Sequence, residues 1–593
     1  MATTTATATA TATETTTATA AAAMSIKPKL HGRAFYESLG SPKFVVAPMV
    51  DQSEFAWRML TRSFLTPQEN AKLLAYTPMF HARLFEENLK YRDTHFQATK
   101  QPTEPIDPIE PIQTTDKTKA TEDLFLDGNP RLDRPLFVQF CANDPEHLLR
   151  AAQKVAPYCD AVDLNLGCPQ GIARKGHYGA FLQEDQKLIY SLINNLHRHL
   201  SIPVTAKIRI LETKEDTLAY AKNVLSAGAS ILTVHGRRRE QKGHLTGVAD
   251  WAYIRYLRDN LPKDTVIFAN GNILQHGDVQ ACLDATGADA IMSAEGNLSD
   301  PSIFAAPPPL EQEGREYWRG LDGKGGYRVD AVVRRYIDIL HRYVYEQAPP
   351  ERRPLFVVGD DEAWLQESSD HEEEPPRKRA KRDSANSRAT SPNIVAVRPH
   401  LFHLLRHFVS RHTDIRDMLA RTTPSDMPGV EKVLDAVERR VAQGLIDYER
   451  TGGKSLEEEI LPTKPKKAQG ATDPPKDEEN EKKEKEQEKE EEATPEQDPE
   501  SSAATVKACK RPWWVVQPIV RPLPKEALAK GSIKMSKKEK KKQEQAAVAA
   551  ATKEKTAASD TTIIQDADKN ISGDQKLPQA LQDELTTDKL VSG

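Results

Sequence analysis

Short, almost wholly apolar runs recur along the first half of the chain, separated by stretches whose apolar positions follow a helical spacing. The runs are Phe44–Ala47, ending at Pro48-Met49, then Ala75–Phe80, Leu136–Cys141, a fourth within DAVDLNLGCPQ at 160–170, Pro203–Arg209, Ser230–His235, Thr265–Asn270 and Ala288–Ser293. Runs without polar alternation suit strands covered on both faces, as in a parallel sheet wrapped by helices. The intervening spacing predicts a helix over 53–65, with Ser53 as its cap and Phe55, Met59 and Leu60 on one face. Further helices are predicted at about 145–156 and from the fifth run to Gly228. Eight strand–helix units over roughly 250 residues predict a (β/α)8 TIM barrel at 41–305. A doubly wound sheet also alternates, but its glycine-rich first turn is missing here.

After about 305 the pattern turns helical and basic. Helices are predicted over 327–346, with Arg328, Arg334, Arg335, Tyr336 and Arg342, over 398–421, with His400, His403, Arg406, His407, Arg411 and His412, and over 428–444. Residues 306–450 therefore read as a small all-α domain with a basic face, interrupted by a disordered insertion at 351–392 that carries the basic run 377–382. The barrel core should be complete without them. The Pro- and Thr-rich stretch 97–122 reads as an inserted loop, residues 1–40 as a disordered Ala/Thr-rich lead, and 451–593 as a charged low-complexity tail. Within that tail, Trp513-Trp514-Val515-Val516 is too aromatic for a plain linker, and a docking segment is one reading of it.

Composition adjusts this picture in two places. Only 38% of the 593 residues are hydrophobic and 40 are proline, so the chain is not filled with globular structure. Five cysteines show neither a CxxC nor a Cys/His spacing, which argues against a zinc site or a disulfide framework and for a reducing compartment. No run of about 18 apolar residues predicts a membrane span. A cytoplasmic or nuclear monomer is expected.

Candidate chemistry collects at the strand ends, which line the active site of such a barrel. They carry Pro48-Met49-Val50, Gln139, Asn165 with Cys168, Lys207 with Arg209, His235 with Arg237, Asn270-Gly271-Asn272 and Ala294-Glu295-Gly296. Cys168 follows the fourth strand between Gly167 and Pro169, with Arg174 and Lys175 beyond it. That placement suits a reactive thiol, although a buried structural cysteine is an equal reading from this stretch alone. Glycine turns after the seventh and eighth strands are the usual phosphate site of the fold. Amide, cation and imidazole on separate strands suit a phosphorylated heteroaromatic cofactor such as flavin mononucleotide (FMN). They do not suit a metal, because Asp, Glu and His do not cluster there.

These residues resemble the tRNA-dihydrouridine synthases. The resemblance lies in VVAPMVDQSEFAWRML at 45–60, YTPMFHARLF at 76–85, VQF at 138–140, DLNLGCPQ at 163–170, AKIR at 206–209, TVHGRRREQKG at 233–243, ADW at 249–251 and ANGNI at 269–273. YTPMFHARLF and MSAEGNL are most similar to the eukaryotic subgroup that acts on uridines 16 and 17 of the D-loop. The resemblance implies that Cys168 donates the proton and that Pro48, Met49, Val50, Gln139, Lys207 and His235 meet the flavin. It places Asn270, Gly271, Asn272, Ala294 and Glu295 around the phosphate. It also implies a tRNA partner bound by the helical domain, and NADPH or NADH as the reductant. Asn165, Arg174, Lys175, Arg209 and Arg237 are assigned to the substrate. Where many members have Gly-Arg, this chain has Ala294-Glu295, so backbone N–H groups, Arg237 or Lys207 must hold the phosphate. A proton donor must be a neutral thiol, so Arg174 and Lys175 are read as meeting RNA phosphate rather than activating the sulfur. Two rival readings are a barrel flavoenzyme acting on a free pyrimidine and a non-catalytic RNA-binding barrel.

Overall fold

The computed structural model describes residues 29–100, 124–242, 246–321, 323–366, 391–455 and 511–519. The lead expected to be disordered to residue 40 is corrected in its last part, where the helix Gly32–Ser38 packs Phe35 and Tyr36 into the core; the lead before Lys29, most of the 97–122 loop, the basic run 377–382 and the bulk of the tail lie outside the described residues.

Eight parallel strands close into a barrel, β1 pairing with both β2 and β8. They are β1 Phe44–Val46, β2 Leu73–His81, β3 Leu136–Cys141, β4 Ala161–Leu166, β5 Val204–Arg209, β6 Leu232–His235, β7 Ile267–Asn270 and β8 Ala290–Ser293. Each apolar run thus became a strand, a few of them trimmed at the leading end. β2 is longer than expected, and its register against β3 shifts between Tyr76 and Met79. Pro78, which has no N–H for the ladder, falls in that shift, and the Thr77 hydroxyl takes the Gln139 N–H instead (3.2 Å).

Helices cover the outside. Asp144, Asp185, Thr213 and Asp250 cap the helices Pro145–Val155, Gln186–His199, Lys214–Ser226 and Trp251–Asn260 with side-chain oxygens. The helix Phe55–Arg62 differs from expectation. Its cap is Glu54, with no side-chain bond, and the Ser53 hydroxyl bonds the backbone of Met49 instead. The Ala56 N–H is satisfied from far along the chain, by Asn393 Oδ1 at 2.8 Å.

That bond shows why the barrel is not self-contained. Glu54 is buried against His400 (3.0 Å), and Trp57 stacks on the same imidazole with centroids 4.1 Å apart. The helix Val329–Ile339 brings Tyr336 edge-on to both rings. One apolar core runs without a break from the barrel into these helices. The expectation of a core complete by 305 is therefore corrected: Phe55 and Trp57 are fully buried, and they pack on Tyr343, Tyr336 and His400 of the later segments.

The basic face is also smaller than its sequence promised. The predicted helix 398–421 is three helices, Val397–Leu404, Arg406–Arg411 and Thr413–Arg421, and the next runs Met427–Arg450. Arg328 is buried against Asp330, Arg334 pairs with Glu438 (2.7 Å), and Arg335 pairs with Glu316. His400 is buried, whereas His403, Arg406, His407 and Arg411 are exposed. The described part of the 351–392 insertion packs: Leu355 and Phe356 are buried, and Trp364 lies under Arg353 and Arg439.

Residues 511–519 dock on the chain itself. Val329 N–H bonds Trp514 C=O (2.9 Å), and Val516 N–H bonds Tyr327 C=O (3.0 Å). Trp513 meets His412 and Phe408, Trp514 meets Trp318 and Tyr448, and Arg511 reaches Asp300. A Cβ on Gly444, in the middle of a helix, would lie 2.6 Å from the Trp513 ring.

Candidate active site

At the carboxyl end of β4 the chain turns on Asn165. Its Oδ1 accepts the N–H groups of Gly167 (3.0 Å) and Cys168 (2.9 Å), and its Nδ2 donates to Gln139 Oε1 on β3 (2.8 Å). The loop is closed from the other side by Ala180 N–H on Cys168 C=O (3.1 Å) and by Arg209 Nε on Gly167 C=O (2.7 Å). Gly179, at φ +65°, passes so near that a Cβ there would lie 2.9 Å from Cys168. Only glycine combines that backbone with that approach.

Cys168 is half-buried, against a small cluster of Cys141, Ala173 and Tyr178 that also takes in Met79 and Phe181. Burial pushes the Cys141 thiol well above its usual value and the Tyr178 hydroxyl up to about 12, so both stay neutral at ordinary pH. Arg174 and Lys175 stand exposed on the short helix Gly171–Lys175 that follows.

Polar side chains fill the interior below. Lys207 Nζ donates to Asn270 Oδ1 across the barrel (2.9 Å), and Asn270 Nδ2 donates to Met292 C=O (2.8 Å). Burial first, and Arg209 second, bring the Lys207 amine down to about 7. Burial, followed by Arg209, Lys207 and Arg237, drives His235 well below its usual value. Its Nε2 accepts from Arg237 Nη1 at 3.1 Å, which marks a neutral imidazole.

A cavity of about 310 Å³ opens over β6, β7 and β8. Arg209, His235, Arg237, Asn270, Gly271, Asn272, Ala294 and Glu295 all line it, which gathers eight of the seventeen predicted residues in one place. Arg237 is held there by Gly247 C=O and Asn272 Oδ1, both at 2.8 Å. Glu295 is exposed, and its charge acts on His403 of the later helices. Gln139, Lys207 and Asn165 lie in the adjoining network rather than on the cavity wall. Met49 is buried behind β1, with Pro48 half-buried and Val50 exposed at the rim. Arg174 and Lys175 are not brought to the cavity. Among the described residues no group of three or more His, Cys, Asp or Glu side chains could hold a metal ion.

Sequence reasoning missed Asp163 and Thr205. Asp163 is fully buried in mid-strand, accepting from Thr205 Oγ1 (2.6 Å) and Gln139 Nε2 (2.8 Å). A carboxylate inside an otherwise apolar run was the available signal. Missed too were Trp251, whose indole N–H holds Gly271 C=O (2.9 Å), and Lys242, which holds Pro169 C=O (2.7 Å).

The family model described as dihydrouridine synthase (Dus) matches residues 45–317. The chain is 44% identical over 396 residues to tRNA-dihydrouridine(16/17) synthase, NAD(P)(+), of Saccharomyces cerevisiae, covering 67% of this chain and 73% of that one. It is 42% identical over 416 residues to the Schizosaccharomyces pombe protein of the same name, covering 70% and 82%. A Mus musculus protein named as like these synthases is 44% identical over 287 residues, covering 48% and 53%.

Proposed function

Since the chain belongs to the dihydrouridine synthase family, we propose that it is a tRNA-dihydrouridine(16/17) synthase, which uses bound FMN and NADPH or NADH to reduce the uracil double bond between carbons five and six. The observation that carries this reading is the pairing of a half-buried thiol, fixed by Asn165 at the end of β4, with the polar cavity over β6 to β8.

The donor set suits a phosphorylated flavin. The turns after β7 and β8 offer backbone N–H groups beside Arg237, and a Cβ on Gly296 would lie 2.1 Å from Ile273 C=O, so that turn is a close-packed cradle. Arg237 takes the part that Glu295, with its like charge, cannot take toward a phosphate. Lys207, Gln139, Pro48, Met49 and Val50 would face the ring, with His235, Asn270, Gly271, Asn272 and Ala294 toward the ribityl phosphate. When bound, the flavin supplies the hydride that adds to carbon six.

Cys168 holds the proton for carbon five. Negative charge develops over carbon five and the adjacent carbonyl as hydride arrives, and a neutral thiol on the opposite face discharges it. Asn165 sets where that sulfur stands by holding its backbone N–H. The exposed Arg174 and Lys175, past the thiol, are assigned to RNA phosphate, where they raise affinity. Arg209, tied to Gly167, belongs with them on the substrate side. The target base must leave its stack to reach the thiol.

The test is direct. Purified protein should be yellow, lose its flavin band on adding NADPH, and regain it on adding tRNA that lacks dihydrouridine. Dihydrouridine should then appear at positions 16 and 17. Flavin that reoxidises with free pyrimidine but not with tRNA would overturn the reading.

A further inference from the structure

Four side chains on three neighbouring strands form one directed chain of hydrogen bonds ending at the catalytic loop. Thr205 on β5 donates to one oxygen of Asp163, and Gln139 on β3 donates to the other. Gln139 then accepts from Asn165, and Asn165 accepts the N–H groups of Gly167 and Cys168. Register places Asp163 beside both partners: it lies opposite Gln139 in one ladder and Thr205 in the other.

The direction of this chain follows from chemistry. A carboxylate only accepts, so Gln139 must turn its NH2 to Asp163 and its oxygen toward Asn165. Asn165 must then offer its NH2 to Gln139, which leaves its oxygen for the two loop N–H groups. A reversed Asn165 amide would set donor against donor at Cys168. Asp163 is wholly buried, so no water competes for either oxygen. Burying a carboxylate costs several kcal/mol unless it is well bonded, and an apolar residue would fill a strand core more cheaply. Its presence calls for a purpose beyond packing.

Resting on the proposed function, we infer that Asp163 is a positioning residue: it anchors the amide chain Gln139–Asn165 and so fixes the Cys168 backbone, and with it the proton-donating sulfur, relative to the substrate base. Asp163 touches neither cofactor nor base and acts only through its neighbours. Thr205 is the second anchor of the same carboxylate.

The two half-reactions separate this role from a structural one. In the full-length holoprotein, Asp163→Ala should slow flavin reduction by NADPH by no more than about threefold, the part passed on through the Gln139 amide toward the ring. Reoxidation of the reduced flavin by tRNA should slow about tenfold or more, as expected when a reacting group is misplaced by an ångström. Asp163→Asn should restore most of that rate, because its oxygen can accept from Gln139 while its NH2 donates to the rotatable Thr205 hydroxyl. Should Asp163→Ala fail to fold, the isosteric Thr205→Val, which removes one anchor, should slow the tRNA step alone by about threefold. Half-reactions slowed equally, or an unchanged tRNA step in Asp163→Ala, would overturn the inference. A parent protein unable to oxidise its reduced flavin with tRNA would instead fail the functional reading itself, so the two failures are distinguishable.

Discussion

Three cations at the barrel mouth and five on the later helices are held by opposite means. Lys207 donates to the Asn270 amide, Arg209 to the carbonyls of Gly167 and Arg238, and Arg237 to Gly247 and Asn272. On the helices, Arg328, Arg334, Arg335, Arg352 and Arg353 meet Asp330, Glu438, Glu316, Glu431 and Asp435. A carbonyl orients a cation without cancelling its charge, whereas a carboxylate spends that charge on the fold. Counting basic residues therefore misjudges where an anion is drawn. On the proposed reading these three cations keep their positive field for a phosphate, whereas much of the helical region has turned its own inward.

The sharpest break in this comparison is at the thiol. Cys168→Ala should leave flavin content and NADPH oxidation intact while lowering single-turnover reduction of tRNA by about 10²–10⁴-fold, the usual worth of a positioned acid. Near-parental rates would remove Cys168 from the chemistry. Next in size is a test of the helical region as a packed body. Gly444→Ala should destabilise the protein by about 1–3 kcal/mol, because its methyl meets Trp513 and Trp514. In a Trp513→Ala, Trp514→Ala background the same change should turn neutral or stabilising by up to about 1 kcal/mol, since alanine favours the helix. Thermal melts of the four proteins read the sign, and a destabilisation that persists without the tryptophans would mean the glycine serves something else.

Much of the barrel was legible because both signals it uses are local. An apolar run such as Leu136–Cys141 is buried on both faces and cannot be mistaken for an exposed strand. The strand-end residues followed from topology alone, and the cavity gathers nine of them. What stayed hidden depends on residues distant in sequence. Ser53 looked like a helix cap, but the helix's second N–H is satisfied by Asn393, 337 residues on. Arg334 and Arg335 looked like RNA contacts, since Glu438 and Glu316 could not be paired with them from spacing. Asp163 looked like one polar interruption in a strand until Gln139 and Thr205 stood beside it.

A smaller effect tests whether the mouth's charge is indeed kept for the cofactor. The Lys207 amine is brought down to about 7, so it is charged below that pH and neutral above it. Binding of an anionic flavin phosphate should therefore weaken by about tenfold as pH rises from 6 to 8.5, and Lys207→Ala should flatten that profile. The cofactor-free protein should show the opposite trend. Unfolded lysine keeps its proton up to about 10.4, so between pH 7 and 10 the unfolded state binds more protons and stability rises with pH. Titrating flavin affinity and melting temperature on the same samples checks both signs, and parallel slopes would mean Lys207 does not govern either.

The smallest expected effect divides the helical region against itself. Arg406 is exposed, while Arg334 and Arg335 are committed to Glu438 and Glu316. Each cation that neutralises an RNA phosphate adds about 0.7–0.9 to the slope of log affinity against log salt. Replacing Arg406 with Ala should therefore lower that slope by about 0.7–0.9 while leaving flavin content alone. Replacing Arg334 and Arg335 should leave the slope unchanged and lower the melting temperature instead, because Glu438 would lose its buried partner. Equal slopes for the Arg406 variant and the Arg334, Arg335 double variant would show that charge pairing does not decide which arginines reach RNA, and the contrast between mouth and helices would lose its meaning for binding.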